Sequence, residues 1–445
     1  MNILFISLGC DKNLVDTEQM LGLLASGGHR IVDAEEEAEA VVINTCCFIH
    51  DAKEESIQNI LEIAELKKAD KIKALVVTGC LAQRYQQEII DEIPEVDIVL
   101  GTTSYDRIIT AVEEAAAGNG GVTIADINDL PLPEVRRMVT TGGHFAYLKI
   151  AEGCDKHCTY CIIPKVRGDF RSVPIERLVK EARDMAEQGV KELILVAQET
   201  TLYGKDLYGE KSLPKLIREL CGISGIRWIR ILYCYPEEIT EELIQVIRDE
   251  PKVCHYLDLP IQHASDDILR RMGRRTSKQQ LLEIVARLRQ EIPDITLRTT
   301  LITGFPGETQ EQHQELLDFV DEIEFDRLGV FTYSPEEDTP AAVMDNQIDE
   351  AVKSDRQAKI MALQQELSFA LAEDMVGREV LVMIEGKVAD ENVYVGRTYK
   401  DAPNVDGLIF VNTTVELVSG DFTRVRITGA LEYDLIGEIV NEFTE

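Results

Sequence analysis

The sequence predicts a multidomain α/β protein with an N-terminal open parallel α/β sheet, a central partial (βα)6 barrel and a C-terminal small antiparallel β-barrel. Three observations lead to this fold class. Short β-rich runs alternate with helical patterns up to residue 118, a second such series follows a polar connector, and the apolar period changes to two after residue 374. The chain of 445 residues is also too long for one hydrophobic core.

The first domain is predicted to span residues 1–118. Its short apolar runs are separated by helical patterns, which is typical of a parallel open sheet. The Gly-rich residues 118–121 end this series, and a polar connector that includes residues 130–133 follows. The predicted strands are residues 3–7, 40–44, 74–78 and 97–100, and the predicted helices begin near Asp16 and Asp51 and cover residues 105–117.

The central domain, residues 140–373, is predicted to contain six βα units. Six units suit a partial barrel, whose working face lies at the carboxyl ends of the strands. A long amphipathic helix at residues 349–374 follows the last unit. The predicted strands are residues 145–150, 193–197, 228–232, 256–260, 297–303 and 327–333.

The tail, residues 376–445, has a strand-like pattern. Val380, Val382 and Ile384 alternate with other side chains, and residues 423–427 and 436–440 have a similar pattern. Alternation with period two in several short segments predicts a small antiparallel β-barrel.

The composition favours a cytoplasmic protein and disfavours free nucleic acid as a partner. The 80 acidic and 46 basic residues give a net charge of −34, which repels phosphate backbones. An acidic surface that only keeps the protein soluble is the alternative. No apolar stretch reaches the ~18 residues of a membrane span, and residues 2–9 do not form a signal peptide, so we expect no membrane partner. In the cytosol the ten cysteines stay reduced, which excludes a disulfide framework.

The sharpest chemical signal is the loop at residues 153–161, which reads Gly-Cys-Asp-Lys-His-Cys-Thr-Tyr-Cys. The thiolates of Cys154, Cys158 and Cys161 can hold three irons of a 4Fe-4S cube and leave the fourth iron open for a substrate. A zinc site would need His157 as a fourth ligand, although His157 lies tightly inside the loop. Zinc and a metal-free loop are the alternatives.

A second metal site is predicted from Cys10, Cys46 and Cys80. Each cysteine follows a predicted strand of the first domain, and the carboxyl ends of parallel strands meet at one edge. A cysteine at a strand end is more often a small buried apolar residue, but three equivalent positions favour a site. Successive side chains point in different directions, so only one of Cys46 and its neighbour Cys47 can face this edge. We choose Cys46 as the ligand. The cysteines without ligand-like spacing are predicted to pack in the core: Cys221, Cys234 and Cys254.

The 153–161 loop resembles that of the radical S-adenosylmethionine (SAM) superfamily, which has the same cysteine spacing and an aromatic residue, here Tyr160, before the last cysteine. The resemblance implies that the open iron binds SAM and that an electron from the cluster cleaves it to a 5′-deoxyadenosyl radical. The family holds SAM with loops at the barrel end. We therefore expect Tyr160, Gly304 and Gly307 to contact SAM, and a simple Gly-Pro turn at residues 304–308 is the alternative.

Taken together, the segments at residues 7–13, 44–46 and 78–80, the cysteine loop and the tail resemble the methylthiotransferases over essentially the whole chain. These enzymes have an N-terminal methylthiotransferase domain, a radical SAM barrel and a C-terminal TRAM domain. The resemblance implies a second 4Fe-4S cluster, on the cysteines that correspond to Cys10, Cys46 and Cys80.

Within this family the RimO branch is most similar, because residues 9–16, 167–172 and 333–337 follow its pattern. The tRNA-modifying MiaB branch reads Gln-Met where this chain has Asp11 and Lys12. RimO enzymes add a methylthio group to the β-carbon of an aspartate in ribosomal protein S-twelve of the small subunit. Asp338 departs from the pattern, since a glycine is expected there.

The resemblance also implies the reaction and the partners. SAM is used twice, once to methylate a cluster-bound sulfur and once to make the radical that removes a substrate hydrogen. An unactivated C–H bond has no acidic proton, so no catalytic acid or base is assigned. The expected partners are the ribosomal protein or the small subunit and an electron donor such as flavodoxin or ferredoxin. The alternatives are a MiaB-type tRNA adenosine methylthiotransferase, an electron-transfer iron-sulfur protein and a scaffold protein.

The charge of the tail favours the ribosomal substrate over tRNA. The residues from Val376 to Glu445 include 6 basic and 13 acidic side chains. The net negative charge disfavours binding of RNA by the tail barrel. It favours binding of a basic protein such as a ribosomal protein. A solvated acidic surface, with a local basic patch at Arg424 and Arg426, is the alternative.

Overall fold

Three units follow one another along the chain in the computed structural model, which describes residues 1–131 and 133–440. Two six-stranded sheets are followed by a closed five-stranded barrel, and the predicted fold class is confirmed. Among the described helices, none combines the length and the apolar character needed to cross a bilayer. Leu132 of the predicted connector and the tail residues Glu442 and Glu445 lie outside the described residues.

The first unit alternates strands and helices. Its strands are Asn2–Ser7 (β1), Arg30–Val32 (β2), Ala40–Thr45 (β3), Ala74–Gly79 (β4), Ile98–Leu100 (β5) and Gly121–Thr123 (β6). Its helices are Asp11–Ser26 (α1), His50–Lys68 (α2), Cys80–Tyr85 (α3), Gln87–Glu92 (α4) and Ile108–Ala116 (α5).

The strands of this unit are parallel and lie in the order β2-β1-β3-β4-β5-β6. β3 and β4 are buried along their whole length, because apolar helix faces cover both sides of the sheet. The strand order reverses between β1 and β3. In open α/β sheets such a switch point opens a crevice at the carboxyl ends of the strands.

The sequence did not reveal β2 and β6, which have three residues each. The sheet thus continues beyond the Gly-rich break at residues 118–121. Helix α1 begins at Asp11, five residues before the predicted start, because Cys10 has extended dihedral angles and ends the loop after β1. The first cysteine therefore lies at the junction of a strand and a helix.

The central unit is the second parallel sheet with its helices. Its strands are Phe145–Lys149 (β7), Ala151–Glu152 (β8), Arg171–Ser172 (β9), Glu192–Val196 (β10), Trp228–Ile231 (β11), Val253–Asp258 (β12), Thr296–Thr303 (β13) and Arg327–Thr332 (β14). Its helices are Ile163–Arg167 (α6), Ile175–Glu187 (α7), Lys205–Tyr208 (α8), Leu213–Cys221 (α9), Glu241–Asp249 (α10), Asp266–Arg271 (α11), Lys278–Glu291 (α12) and Gln310–Ile323 (α13).

The six main strands lie in the consecutive order β7-β10-β11-β12-β13-β14, as expected for a partial barrel of six βα units, while β8 and β9 form a separate pair. Alternate residues of the strands face opposite sides. Leu148, Leu195 and Ile231 pack with the surrounding helices. Tyr147 and Trp228 face the other way, into a cluster that also contains residues of α1 and of the tail.

The tail is joined to the central unit by a long helix, Glu350–Glu373 (α14), which the Asp349 side chain caps. Four strand pairs of the tail barrel are antiparallel, and one is parallel. The strands are Glu379–Lys387 (β15), Val393–Arg397 (β16), Ile409–Asn412 (β17), Phe422–Ala430 (β18) and Leu435–Ile439 (β19).

The segment after β14 joins the central unit to the first unit. Glu336 forms a buried ion pair of 3.1 Å with Arg84 of α3, and the Ser334 hydroxyl accepts a hydrogen bond from the backbone N–H of His50. Asp338 has a φ of +64°, in the left-handed region that favours glycine. This geometry explains why the sequence pattern leads one to expect glycine at this position.

Candidate functional site

The three cysteines of the predicted second metal site lie at one edge of the first sheet. β1, β3 and β4 are neighbours, and Cys10, Cys46 and Cys80 follow their carboxyl ends. Two of these strands flank the switch point, where open α/β sheets bind their ligands. The topology therefore places thiols where a ligand of this fold is held.

Two glycines shape this edge. Gly9 and Gly79 precede Cys10 and Cys80 and have φ angles of +89° and +93°. A Cβ atom on Gly9 would lie 2.7 Å from Cβ and 2.9 Å from Sγ of Cys46. The loop that carries Cys10 therefore packs directly on Cys46, and this approach requires glycine.

The thiols at this edge influence one another. Burial raises the pKa of the Cys46 thiol to about 12, and the nearby Cys80 and Cys10 add to this shift. Burial also raises the pKa of Cys80, while the neighbouring Arg167 opposes the increase. Because a thiol must lose its proton to bind iron, we expect metal binding here to release protons.

Cys47, the neighbour that the sequence analysis rejected, lies in the apolar cluster with Ile60, Val77 and Leu81 and is fully buried. Burial raises the pKa of its thiol as well. The contact between Gly9 and Cys46 agrees with the choice of Cys46, and the ligand assignment itself stays a prediction.

The second cysteine set lies in the loop between β8 and α6. The backbone N–H of Cys154 donates to the carbonyl of Gly168 at 3.1 Å, and that of Cys161 donates to the carbonyl of Cys158 at 3.0 Å. Gly153 has a φ of +78°, and a side chain there would collide with the backbone that follows α6. Burial raises the pKa of Cys154 to about 12 and also raises that of Cys161.

Three thiols in each set are a donor set that a 4Fe-4S cluster uses, and both clusters stay predictions. Within residues 1–131 and 133–440, no three His, Cys, Asp or Glu side chains are arranged to hold one metal ion. In a 4Fe-4S cube each thiolate binds a different iron, so the three sulfurs need not converge on one point. His157, the possible zinc ligand, is exposed.

Charged side chains border the loop. Lys156 lies between the first two cysteines, and its Nζ is 2.5 Å from Glu238, 3.3 Å from Glu237 and 3.7 Å from Glu199. Burial raises the pKa of Glu199, which follows the carboxyl end of β10, to about 7. The Tyr235 hydroxyl lies 3.7 Å from Sγ of Cys158. These charged and phenolic groups have no local signal in the sequence that would have identified them.

The residues predicted to contact SAM lie close to one another. Tyr160 packs beside the apolar cluster that contains Phe305. Gly304 has a φ of +71°, and a Cβ atom there would collide with the side chain of Lys353 from α14. A Cβ atom on Gly307 would lie 2.5 Å from the Arg271 guanidinium. Both glycines thus have a packing role, and the SAM contacts stay predictions.

The two cysteine sets are linked through α6, which begins two residues after Cys161 and contacts α3, which begins at Cys80. Arg167, the last residue of α6, reaches the first unit, and its Nε lies 3.3 Å from Sγ of Cys80. Residues 9–16 and 167–172, which carry the branch pattern, contact each other through Arg167, and the sequence alone did not reveal this contact.

The remaining cysteines have ordinary surroundings. Cys234 and Cys254 are buried in the apolar clusters of the central sheet, and Cys221 packs at the edge of one cluster. Their positions agree with the predicted packing role.

Comparison with known proteins gives matches to three domain families. Residues 2–101 match the uncharacterized protein family UPF0004, residues 148–320 match the radical SAM superfamily, and residues 376–440 match the TRAM domain.

Solved structures of other radical SAM enzymes share the fold. The radical SAM methyltransferase TsrM from Kitasatospora setae, solved with tryptophan substrate and a SAM analogue, is 14% identical, with a TM-score of 0.57 over 87% of this chain and 79% of that chain. The cobalamin-dependent SAM radical enzyme OxsB is 13% identical, with a TM-score of 0.52 over 82% of this chain and 56% of that chain. At such low identity these likenesses show the fold alone.

Curated relatives match nearly the whole chain and are named ribosomal protein uS12 methylthiotransferase RimO. The protein from Lachnoclostridium phytofermentans is 62% identical over 98% of this chain and 99% of its own length. That from Clostridioides difficile is 48% identical over 99% of both chains, and that from Desulforamulus reducens is 49% identical over 98% of both. With this identity over its full length, the chain belongs to the RimO family of radical SAM methylthiotransferases.

Proposed function

We propose that this chain adds a methylthio group to the β-carbon of an aspartate in ribosomal protein uS12 of the small subunit. The observation that carries the proposal is the end-to-end identity of 62% with a relative named for this reaction. Residues 1–118, 140–373 and 376–445 are proposed as the working domains, and strand β6 extends the first of them to Thr123. They correspond to the methylthiotransferase, radical SAM and TRAM domains of the family.

In the proposed reaction the cysteine loop of the central unit holds one 4Fe-4S cluster and SAM. Cys154, Cys158 and Cys161 supply three ligands and leave one iron free for SAM, whose cleavage supplies the radical. Tyr160 and the loop of Gly304 and Gly307 are proposed to border SAM.

The crevice of the first unit is proposed to hold a second 4Fe-4S cluster on Cys10, Cys46 and Cys80, which would supply the sulfur for transfer. The glycines before Cys10 and Cys80 support this proposal, because they allow the loops to close around the thiols. No side chain is proposed as a general acid or base. The proposed role of the chain's own cysteines is to hold the two clusters.

The uS12 substrate is favoured over tRNA by the relatives' names and by the acidic tail. Several carboxylates of the tail are exposed, whereas Arg426 is paired with Glu379 at 2.7 Å. The proposed partners are therefore uS12 or the small subunit and a reduced flavodoxin or ferredoxin, in the cytoplasm.

Two triple variants test the proposed roles of the cysteine sets. The reconstituted protein is expected to bind about eight irons. Replacing Cys154, Cys158 and Cys161 with alanine should remove about half of the iron and all SAM cleavage. Replacing Cys10, Cys46 and Cys80 should also remove about half of the iron and abolish methylthio transfer, but SAM cleavage should persist. SAM cleavage by the first variant, or loss of all iron from either one, would contradict the proposal.

A further inference from the structure

Arg167 connects the central unit to the first unit. It is the last residue of α6, in the central unit, and its side chain is 2% exposed. The guanidinium extends across the unit boundary to the carboxyl edge of the first sheet. Its Nε donates a hydrogen bond of 3.3 Å to Sγ of Cys80.

The other nitrogens of Arg167 are also bound. Nη1 donates to Asp16 at 2.7 Å and to Glu152 at 3.1 Å, and Nη2 donates to the side-chain oxygen of Asn13. Asp16 and Asn13 belong to α1, whereas Glu152 belongs to the central unit. The planar guanidinium is therefore held from both units, and the direction of its Nε–H bond is fixed.

Asn13 extends this network to the other two cysteine loops. Its amide nitrogen donates to the carbonyl of Leu8 at 3.0 Å and to that of Thr45 at 2.9 Å. Leu8 and Thr45 lie just before Cys10 and Cys46. A displacement of Arg167 thus affects all three loops of the crevice.

The charge of Arg167 is balanced locally. Lys149 also binds Asp16 and Glu152, so two cations face two carboxylates in this buried network. The influence of Arg167 on Cys80 therefore depends on the directed N–H group more than on net charge. Hydrogen bonds to cluster sulfurs are among the factors that set the potential of an iron-sulfur cluster.

We propose that Arg167 is a positioning residue of the second cluster site. Arg167 donates a hydrogen bond to the Cys80 thiolate and thereby raises the reduction potential of the cluster bound there. This inference rests on the proposed second cluster. It assigns to the radical SAM unit a direct influence on the cluster of the neighbouring unit. A purely structural ion pair would hold the units together without changing the cluster's potential.

The test uses protein in which Cys154, Cys158 and Cys161 are replaced by alanine, so that only the second cluster remains. Arg167→Lys keeps the charge but cannot reproduce the Nε–H bond, and Arg167→Gln removes both. The midpoint potential is measured by redox titration followed by electron paramagnetic resonance. We expect both variants to shift the potential to more negative values, since the reduced cluster loses a stabilising donor.

Arg84→Gln is the matched control. Arg84 also forms a buried ion pair between units, with Glu336; it lies beside Cys47 but contacts none of the three proposed ligands. Its replacement should leave the potential unchanged. If the Arg167→Gln protein loses its iron, the potential of the Arg167→Lys protein tests the inference.

An unchanged potential in Arg167→Lys and in any iron-loaded Arg167→Gln would overturn the inference alone. A shift of equal size in Arg84→Gln would also overturn it, since the effect would then reflect any broken contact between units. Absence of iron from the parent protein would overturn the second cluster, and with it this inference.

Discussion

The carboxylate of Glu192 lies 2.7 Å from the guanidinium of Arg397, and neither side chain is exposed to solvent. Glu192 is on β10 of the central sheet, and Arg397 ends β16 of the tail barrel. Glu192 also accepts a hydrogen bond of 2.8 Å from Arg230. Burial alone would raise the pKa of Glu192, but the two arginines outweigh it and keep the pKa below its usual range. The tail barrel is therefore bound to the central sheet through a charge pair that is fully removed from solvent.

Arg397→Met should destabilise the docked tail by about 3–5 kcal/mol, because it removes one partner of a buried pair. The only tryptophan, Trp228, contacts Phe422 of the tail at 4.9 Å between ring centroids, so its fluorescence during urea unfolding measures this effect. Arg426→Met breaks an exposed pair with Glu379 and should cost less than about 1 kcal/mol. Equal losses of stability in the Arg397→Met and Arg426→Met variants would contradict the larger contribution expected of the buried pair.

Cys47→Ala should leave both clusters in place. Cys47 packs in an apolar cluster with the Arg84 guanidinium beside its thiol, and its truncation should lower stability by only about 1–2 kcal/mol. Iron and acid-labile sulfide analysis checks this, with Cys46→Ala as the matched variant. Should Cys47→Ala lose half of the iron while Cys46→Ala keeps it all, the neighbouring cysteine is the ligand.

Charge reversal on the tail should weaken binding of uS12 at low salt. Asp390, Glu391, Glu416 and Glu432 are exposed, and changing all four to lysine should lower the association rate with this basic protein about tenfold or more. The rate should also become less dependent on salt, and SAM cleavage should not change.

A reversal of four acidic residues elsewhere controls for net charge. The exposed residues Glu311, Asp318, Asp321 and Glu322 all lie on α13, away from the tail barrel. Stopped-flow binding should show a clearly smaller effect for this variant. Identical rates for the two variants would mean that only total charge matters.

The buried His263 should make the protein less stable in acid. Burial lowers the pKa of His263 to about 3, and the nearby His313 and Arg356 contribute. The unfolded chain takes up this proton near pH 6.5. The free energy of unfolding therefore keeps this contribution above about pH 6.5 and loses up to about 1.4 kcal/mol per pH unit as the pH falls towards 3.

His263→Asn retains an acceptor for the backbone N–H of Ser265 and does not titrate in this range. Urea unfolding between pH 7.5 and pH 5, followed by Trp228 fluorescence, should show a shallower loss of stability for the variant. If the free energy of unfolding falls equally with pH in the two proteins, His263 does not contribute to the loss of stability in acid.

The sequence predicted the long elements and the cysteine positions well, because both have local signals. Strands such as β3 and β4 are apolar along most of their length, and cysteines follow three strands of the first sheet. The short strands β2 and β6 were missed, since three residues show no usable period. Strands β16 and β17 were also missed, because their patterns become clear only when the barrel closes.

The network of Arg167 could not be predicted for a different reason. Arg167 and Cys80 are 87 positions apart, and Arg167 and Asp16 are 151 positions apart. Their contact depends on how two units pack, which no local pattern encodes. Asp338 shows the opposite case, because a glycine expected from sequence corresponds to a real left-handed φ of +64°.

Mass spectrometry of the reaction products tests directly whether the chain methylthiolates uS12. Anaerobically reconstituted and reduced enzyme is incubated with SAM and either small ribosomal subunits or bulk tRNA, and the added mass is located by tandem mass spectrometry. We expect a methylthio group on one aspartate of uS12 and none on tRNA. A methylthio group on a tRNA adenosine, with uS12 unmodified, would contradict it.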